Sequence, residues 1–355
     1  MQPERIVVKI GTSSLVTDGR LDPHKADALA ASVADLTHSG LRTVLVTSGA
    51  IAQGRTVLGG AGVGEEGLRL AAAVGQGPLF EAFRAGLARR GLTAAQFLFT
   101  PLDLCDDRHR DGLRSALDHA LDRGVVPVVN ENDAVQVRNN DILAALLSVL
   151  LRARLLALLT DVRGLYGSDP RTDPGARLIP EAKGMTVELE RLARSSADGP
   201  GTGGMISKLG AVWIATLAGV SAAIADAHEP RVLSRLLGGE PVGTLIHPRD
   251  SVREHGLEPL WRAFSAPPRG TVVCRPAARH AIEAGRPVPL PLVTRAEGSF
   301  VAGDVVDVVV AGTPSIARGR TRLGALSLTE ALFADSADGA TVLHPSEYVS
   351  LLEAC

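Results

Sequence analysis

Two lysines lie beside glycine and hydroxyl residues, a combination that suits phosphate binding. Lys9 stands two residues before Gly11, and Lys208 closes the run Gly-Thr-Gly-Gly-Met-Ile-Ser-Lys at residues 201–208. Backbone N–H groups at glycine-rich turns and helix starts bind anions, and ammonium groups make point contacts with phosphate oxygens. Only four of the 37 basic residues are lysines, which draws attention to these two. We therefore predict that both segments contact a polyphosphate.

Four further polar clusters follow apolar runs or open predicted helices. They are Ser48-Gly49-Ala50, Asn130-Glu131-Asn132-Asp133, Asn139-Asn140-Asp141 and Thr160-Asp161. The first would place free N–H groups at a helix start, where an anion is favoured. Carboxylates and amides in the second and third suit an ammonium group or a hydrated metal ion. Capping of the following helix explains only one residue of the third cluster.

Several known motifs are excluded by the residues that stand, or fail to stand, beside the segments that resemble them. Ser48 lacks the glycine that a nucleophile elbow requires two residues earlier, because Val46 stands there. The Gly62–Gly67 segment matches the form GxGxxG but follows no predicted strand, so the dinucleotide interpretation fails. The chain also has no Gly-Lys-Ser or Gly-Lys-Thr. A nucleoside triphosphate would therefore be bound without a P-loop.

Short apolar runs alternate with longer helical patterns over the first two thirds of the chain. The predicted strands are Ile6–Ile10, Arg42–Thr47, Gln96–Thr100, Val125–Asn130, Leu155–Thr160 and Ala222–Asp226. The predicted helices are Pro23–Ser39, Leu68–Arg90, Arg108–Arg123, Asp141–Arg152 and Met205–Gly219. Continuous apolar strands between helices indicate a parallel sheet covered on both faces. Such sheets bind ligands at the carboxyl ends of their strands, where the polar clusters lie.

The pattern changes near residue 250. We predict a first domain over residues 1–250, a proline-marked linker over 251–268 and a small β-rich domain over 269–355. The predicted strands of the last domain are Thr271–Cys274, Pro291–Thr294, Val305–Val310 and Ser315–Arg318. Between Arg269 and Arg322 this segment has eight arginines against four acidic residues, a local positive excess.

Composition excludes several classes of protein. The 37 basic and 39 acidic residues give a net charge of −2, which disfavours a dedicated nucleic-acid binder. The three cysteines are far apart and form no CxxC, so neither a disulfide scaffold nor a cysteine-based zinc site is expected. The first residues do not resemble a signal peptide. The apolar run Ile142–Leu151 is half as long as the ~20 residues of a membrane span. We expect a soluble cytoplasmic protein.

Taken together, the motifs resemble the amino acid kinase family and, within it, the group of glutamate 5-kinases. The segment Thr160-Asp161 with Gly164-Leu165-Tyr166 and Asp169-Pro170-Arg171 resembles the nucleotide loop of the whole family. Sharper signals are Lys9-Ile-Gly-Thr-Ser, Thr47-Ser-Gly-Ala-Ile-Ala, Asn130-Glu-Asn-Asp-Ala-Val and Gly201-Thr-Gly-Gly-Met with Lys208. The C-terminal segment is similar to the PUA domain. The resemblance implies a three-layer α/β sandwich around a mostly parallel sheet, followed by a PUA-like domain.

The resemblance also implies a reaction and its partners. The family group transfers the γ-phosphoryl group of ATP, with Mg²⁺, to the side-chain carboxylate of L-glutamate, which begins proline biosynthesis. That carboxylate is already ionised at pH 7, so no general base is needed. Catalysis should then consist of positioning and charge neutralisation. The resemblance further implies a homodimer or homotetramer and proline as a feedback inhibitor.

The implied site residues fall into three groups. In catalysis, Lys9 and Lys208 would neutralise the phosphates, and Asp141 would orient both lysines. Glutamate would be held by Ser48, Gly49, Ala50, Asp133 and Asn140. ATP would be held by Lys9, Gly11, Thr160, Asp161, Thr202, Gly203, Gly204, Met205, Ile206, Ser207 and Lys208. No protein residue is assigned as a metal ligand.

Two departures from the family pattern and two rival hypotheses accompany this interpretation. Asn139 stands where the family usually has an aspartate, and Ile206 stands where a small hydroxyl residue is common. The first puts glutamate affinity and proline inhibition in question. One rival is another amino acid kinase, acting on aspartate, N-acetylglutamate, carbamate or a nucleoside monophosphate. The other is an RNA-binding protein that acts through the PUA-like domain, which the charge balance disfavours.

Overall fold

The computed structural model describes residues 4–60, 64–135, 139–168, 170, 172–195, 202–334 and 339–353. For residues 194, 195, 202 and 203 it describes the backbone alone. Gly201 of the glycine-rich run, and Asp169 and Arg171 of the family loop, lie outside the described residues.

An eight-stranded sheet, called the first sheet below, forms the centre of the larger part of the chain. Its strands are β1 (Arg5–Ile10), β4 (Arg42–Val46), β5 (Ala94–Phe99), β6 (Val126–Glu131), β7 (Leu155–Thr160), β8 (Glu181–Lys183), β9 (Ser221–Asp226) and β10 (Gly243–His247). A short hairpin, β2 (Val16–Thr17) and β3 (Arg20–Leu21), stands apart from it. The strand order is β5-β6-β4-β1-β7-β9-β10-β8. Every neighbouring pair is parallel except β9 and β10.

Helices cover both faces of the first sheet. They are α1 (Thr12–Leu15), α2 (Pro23–His38), α3 (Ala50–Val57), α4 (Gly64–Ala88), α5 (Pro101–Cys105), α6 (Asp107–Asp122), α7 (Asn140–Leu150), α8 (Val187–Ser195), α9 (Thr202–Leu217) and α10 (Val232–Leu237). One apolar core packs α7 and α9 on one face, and another packs α2, α4 and α10 on the other. The predicted three-layer sandwich is confirmed. No helix within the described part of the chain is both long and apolar enough to cross a membrane.

The predicted strands and helices of this part exist, and their ends lie within about a turn of the predicted bounds. The pattern missed the short elements α1, α5, α8 and α10, the edge strand β8 and its neighbour β10, and it predicted the start of α3 after Ser48 but not its extent. These elements are short or partly exposed, so their apolar residues do not form a periodic run of useful length.

A five-stranded sheet, called the second sheet, forms the C-terminal part. Its strands are β11 (Gly270–Cys274), β13 (Val293–Gly298), β14 (Val305–Val310), β15 (Ser315–Arg320) and β17 (Tyr348–Ser350), in the order β13-β11-β14-β15-β17. The short pair β12 (Val288–Pro289) and β16 (Thr341–Leu343) and the helices α12 (Ala277–Glu283) and α13 (Ala325–Phe333) accompany it. It encloses an apolar core of its own.

Two details of the C-terminal prediction differ from the structure. The predicted strand Pro291–Thr294 was wrong at its start, because a 3-10 turn occupies Leu290–Leu292 and β13 begins at Val293. Proline cannot donate to a strand ladder, which explains the late start. The predicted linker contains a helix, α11 (Leu257–Phe264), whose Leu260 and Phe264 are buried. Pro259 lies in its first turn, where proline is tolerated.

Helices α3 and α4 cross at glycines. A Cβ atom on Gly54 would lie 1.7 Å from the carbonyl oxygen of Ala71, and one on Gly75 would lie 1.9 Å from that of Ala50. No side chain can occupy such space. Because Ala50 is the first residue of α3, this crossing fixes the helix start that follows Ser48.

We expect Gly75→Ala to destabilise the protein by about 1–3 kcal/mol, since the added methyl group must push α3 away from α4. The matched control is Gly112→Ala on helix α6, where a Cβ meets nothing within 4 Å. That change should stabilise by about 0.5–1 kcal/mol, because alanine loses less entropy than glycine in a helix. Denaturant unfolding measures both. Equal effects of the two substitutions would contradict the role assigned to the crossing.

Candidate active site

Parallel pairing brings the ends of three neighbouring strands to one edge of the first sheet. Lys9 on β1 is in register with Val46 on β4 and with Leu158 on β7. Ser48 and Thr160 each follow two residues later. The polar clusters predicted from separate parts of the sequence therefore meet at this edge.

Asp141 lies between two lysine ammonium groups. Its Oδ1 is 2.6 Å from the Nζ of Lys9, and its Oδ2 is 3.7 Å from the Nζ of Lys208. All three side chains are buried. The site therefore holds two positive charges against one negative charge, which leaves a net positive charge for an anionic ligand.

Burial and the opposite charges nearby shift the pKa values of these groups in opposite directions. Burial raises the pKa of Asp141, but the charges of Lys9 and Lys208 outweigh it and hold that pKa below its ordinary value. Burial lowers the pKa of Lys208, and the charge of Lys9 adds to this, while Asp141 and Asp161 act against it. The net pKa of Lys208 is lowered. An anion bound beside Lys208 would raise that pKa again.

Helix α7 presents Asp141 from its first turn. Asn139 caps the helix, because its Oδ1 accepts from the Asp141 N–H at 3.0 Å. The loop before it is tied to strand β6: the Asn139 N–H donates to Glu131 Oε2 at 2.6 Å, and the Glu131 N–H donates to Asn140 Oδ1 at 2.9 Å. Asn139 thus has a structural role that an amide fulfils as well as a carboxylate would.

Ser207 connects helix α9 with this capped loop. Its Oγ is 2.6 Å from Asp141 Oδ2 and 2.7 Å from Asn139 Oδ1. A hydroxyl group has one proton, so it donates to only one of these acceptors at a time. Donation to Asp141 would compensate the carboxylate when the lysines turn toward a ligand.

We expect Ser207→Ala to lower kcat about tenfold, because a hydrogen bond to a charged group is worth about 1.5–3 kcal/mol. Ser207→Thr, which keeps the hydroxyl, should restore most of the rate. Steady-state kinetics at saturating substrates measure the difference. Ser32→Ala, which removes an exposed hydroxyl on α2, serves as the control. Equal rates for the alanine and threonine variants would show that the hydroxyl does not act on Asp141.

Helix α3 directs its amino end toward the same space. Its N-cap is Gly49, with a φ of 110° in the left-handed region that glycine alone adopts without strain. Ser48 is buried just before it. The free N–H groups of the first turn therefore face the edge of the sheet, as the sequence predicted for this segment.

A cavity of about 570 Å³ joins most of the predicted site residues. Those that line it are Lys9, Gly11, Ser48, Gly49, Asp133, Asn140, Asp141, Gly204, Ser207 and Lys208. Four of its other lining residues were not predicted as site residues, namely Thr12, Ser13, Arg55 and Asn139. Arg55 is exposed on α3 one turn after Ile51, and no motif marks it. An arginine in an arginine-rich chain gives no signal of its own.

The remaining predicted residues are not among those that line this cavity. Ala50 lines a neighbouring cavity that also contains Asn130, whose amide donates to Gln76 on α4 at 2.8 Å. Thr160 ends β7 and its Oγ1 is 3.1 Å from Asp161 Oδ1. Met205 packs against the core of the α7 face, and Ile206 lines a different cavity. For Thr202 and Gly203 the structure describes the backbone alone.

Two details of the glycine-rich segments differ from expectation. Residues 202–204 are not a loop, because α9 already begins at Thr202, and Lys208 therefore lies in the second turn rather than the first. Its Nζ contacts the Gly204 carbonyl oxygen at 3.1 Å. Gly11 has an ordinary extended backbone, with a φ of −77°. A Cβ at Gly11 would stand 3.9 Å from Lys9 Nζ. Glycine at this position therefore keeps the space beside the ammonium group open and is not needed for a tight turn.

Comparison with known proteins agrees with this geometry. A model of the amino acid kinase family matches residues 4–226. A glutamate 5-kinase of Citrifermentans bemidjiense is 40% identical over 90% of this chain and 87% of its own length. Another, of Ralstonia pickettii, is 40% identical over 89% of this chain and 87% of its own.

Solved structures share the fold at low identity. Carbamate kinase from Giardia lamblia, bound to AMP-PNP, superposes with a TM-score of 0.52 at 16% identity and covers 70% of this chain and 99% of its own. UMP kinase from Ureaplasma parvum gives a TM-score of 0.50 at 14% identity, with 70% and 100% covered. By its family match and its relatives, the chain belongs to the amino acid kinase family and, within it, to the glutamate 5-kinases.

Proposed function

We propose that this chain transfers the γ-phosphoryl group of ATP to the side-chain carboxylate of L-glutamate, giving L-glutamyl 5-phosphate for proline biosynthesis. The observation that carries the proposal is the buried Lys9–Asp141–Lys208 cluster at the edge of a cavity that the α3 amino end also faces. The names of the relatives at about 40% identity supply the substrate.

The reaction requires mainly that the protein neutralise charge and position the two substrates. A side-chain carboxylate with an ordinary pKa near 4.3 is already a nucleophile at pH 7. Its approach to a polyanionic triphosphate is opposed by charge repulsion, which two ammonium groups reduce. We assign Lys9 and Lys208 to the transferred phosphoryl group and Asp141 to holding the two lysines in place. Neutralisation of charge by the lysines is the largest contribution to catalysis that the site offers.

The substrates would occupy the two sides of the cavity. On the glutamate side we place Ser48, Gly49 and Ala50 with Asp133 and Asn140, whose carboxylate and amide suit the ammonium group of an amino acid. On the ATP side we place Gly11, Thr160, Asp161 and residues 202–208. Arg55, which also lines this cavity, is available on the glutamate side for a carboxylate.

Magnesium would accompany the nucleotide. Among the described residues no group of three or more His, Cys, Asp or Glu side chains is arranged to hold a metal ion. Mg²⁺ typically takes most of its ligands from substrate phosphates and water. Bound to the triphosphate it supplies further neutralising charge, and the lysines of this chain supply the remainder.

A substrate panel tests the proposal. ADP release is measured with ATP, Mg²⁺ and, in turn, L-glutamate, L-aspartate, N-acetyl-L-glutamate, carbamate and UMP. We expect turnover with glutamate at least about 100-fold above the others, and repetition with added proline tests the predicted feedback inhibition. Release with another acceptor but not with glutamate would replace this proposal by the rival within the family.

We further propose a homo-oligomer built on the first sheet. Strand β5 is one of its two edge strands, and Leu98 on it is 41% exposed. Leu70 on α4 and Leu102 on α5 are also more than half exposed. Apolar residues beside an unpaired strand edge favour association of copies. Light scattering of the purified protein measures the mass. The cytoplasmic location and the PUA-like character of the second sheet stay predictions from the resemblance.

A further inference from the structure

One buried arginine reaches from the second sheet into the part of the chain built on the first sheet. Arg318 on β15 is 3% exposed. Its Nη2 and Nη1 donate to the two carboxylate oxygens of Glu190 on α8 at 2.8 and 3.2 Å. Its Nε donates to Asp307 Oδ1 on the neighbouring strand at 2.7 Å. A planar guanidinium with a fixed fork of donors is suited to bridging two carboxylates in this way.

The same arginine also packs against helix α9. Its guanidinium carbon lies 5.7 Å from the ring centre of Trp213 on α9 and 5.4 Å from that of Phe264 on α11. The two rings are stacked, 5.6 Å apart. Trp213 Nε1 donates to Glu190 Oε2 at 2.9 Å. Arg318, Glu190 and Trp213 thus form one buried cluster, which we call the clamp.

On α9, Trp213 of the clamp lies about one and a half turns after Lys208. Lys208 precedes Trp213 by five residues, a rise of about 7.5 Å along a helix. A helix moves as a rigid unit over such a distance, so the position of Trp213 fixes the height and rotation of Lys208 and Ser207.

A cavity of about 300 Å³ separates the start of α9 from the second sheet. Ile206 and Ser207 line it from α9, Asn139 from the loop before α7, and Arg318 and Phe264 from the clamp side. The first turns of α9 therefore have open space on this side rather than packed neighbours. The placement of these turns therefore depends more on the clamp than it would if packed side chains filled the cavity.

We propose that Arg318 is a positioning residue for the reaction: through Glu190 and Trp213 it holds α9 where Lys208 and Ser207 meet Asp141 and the nucleotide. This inference rests on the proposed function for the assignment of α9 to the nucleotide. In this way the second sheet contributes to nucleotide binding without contacting the substrate.

The test is Arg318→Lys in the full chain. Lysine keeps the charge but cannot bridge two carboxylates as a fork or stack between two rings. We expect KM for ATP to rise about tenfold while KM for glutamate changes less than twofold, because the Ser48 side of the cavity does not contact the clamp. Arg322→Lys, an exposed arginine of the same C-terminal part, should leave both constants unchanged.

A second variant changes Glu190, the carboxylate partner of Arg318 in the clamp. Glu190→Gln keeps the shape of the side chain and should raise KM for ATP in the same direction, which preserves the test if Arg318→Lys does not fold. Fluorescence of Trp213 in a Trp261→Phe background should change on ATP addition and should lose that change in the Arg318 variant. Proportional changes in both KM values, or a loss of stability with both KM values unchanged, would overturn the proposal.

The outcome is separable from the proposed function. If the wild-type chain phosphorylates an acceptor other than glutamate, KM for ATP is measured with that acceptor, and the clamp is tested as before. If KM for ATP responds to Arg318→Lys with any acceptor, the clamp stands even though the substrate assignment has failed.

Discussion

Replacement of Lys208 or Lys9 by arginine is expected to reduce kcat by about 100-fold or more, although the positive charge remains. Lys9 Nζ lies 2.6 Å from Asp141 in a buried site, and Lys208 Nζ lies 3.6 Å from the space where a Cβ of Gly204 would stand. A guanidinium group is larger and planar, and it directs its donors in a fork rather than at a point. It cannot occupy the ammonium position without displacing the helix starts.

The controls for this prediction are the other two lysines. Lys183 is exposed and pairs with Asp250, and Lys25 donates to the Val16 carbonyl oxygen away from the cavity. Lys183→Arg and Lys25→Arg should leave kcat within about twofold. Alanine at position 9 or 208 should lower kcat by at least as much as arginine does, with circular dichroism unchanged. Near-normal turnover in the arginine variants would show that charge alone suffices and would refute the assigned point contacts.

Asp141→Asn is expected to lower kcat about 100-fold and to destabilise the protein without ligand by about 3–5 kcal/mol. The substitution leaves two buried ammonium groups without their shared counter-charge, and removal of one partner from a buried ion pair has a cost of that size. The pKa of Asp141 is lowered in the folded state. Its stabilising effect is therefore present at neutral pH and is lost only as the pH falls below the ordinary carboxyl range.

ATP should partly compensate this loss. Its phosphates bring negative charge to the two lysines, so ATP should raise the melting temperature of Asp141→Asn by more than it raises that of the wild type. KM for ATP should not increase, since an anion has been removed from a polyphosphate site. Asp107→Asn, which changes an exposed carboxylate on α6, is the control. Equal ATP stabilisation of variant and wild type would contradict the placement of the phosphates beside the lysines.

The sequence predicted a mostly parallel first sheet, six of its eight strands and the longer helices that position its site. Strands such as Leu155–Thr160 are continuous apolar runs, and their register alone brings Lys9, Ser48 and Thr160 to one edge. The clusters around Lys208 and Asp141 were recognisable because a buried charge or a glycine run is unusual at such a position. The structure places both beside the same cavity.

Other features depend on contacts between distant residues and have no local signal. Arg318 and Glu190 are 128 residues apart in the chain, and each reads as an ordinary surface residue in its own segment. The prolines around α11 indicated a linker, whereas Leu260 and Phe264 become buried only because helices α7 and α9 and the second sheet pack around α11. Asn139 was interpreted as a lost carboxylate; the sequence predicted one helix cap within its cluster without choosing the residue, and the structure identifies Asn139 as that cap.

Trapping of the product tests the central claim most directly. Hydroxylamine converts an acyl phosphate to a hydroxamate, so the reaction of ATP, Mg²⁺ and L-glutamate is run in its presence and the product is analysed by mass spectrometry and chromatography. We predict the 5-hydroxamate of glutamate in amounts equal to the ADP released, and its loss in Lys9→Ala and Lys208→Ala. Release of ADP with no glutamyl hydroxamate, or equal hydroxamate yields in the lysine variants, would contradict the account.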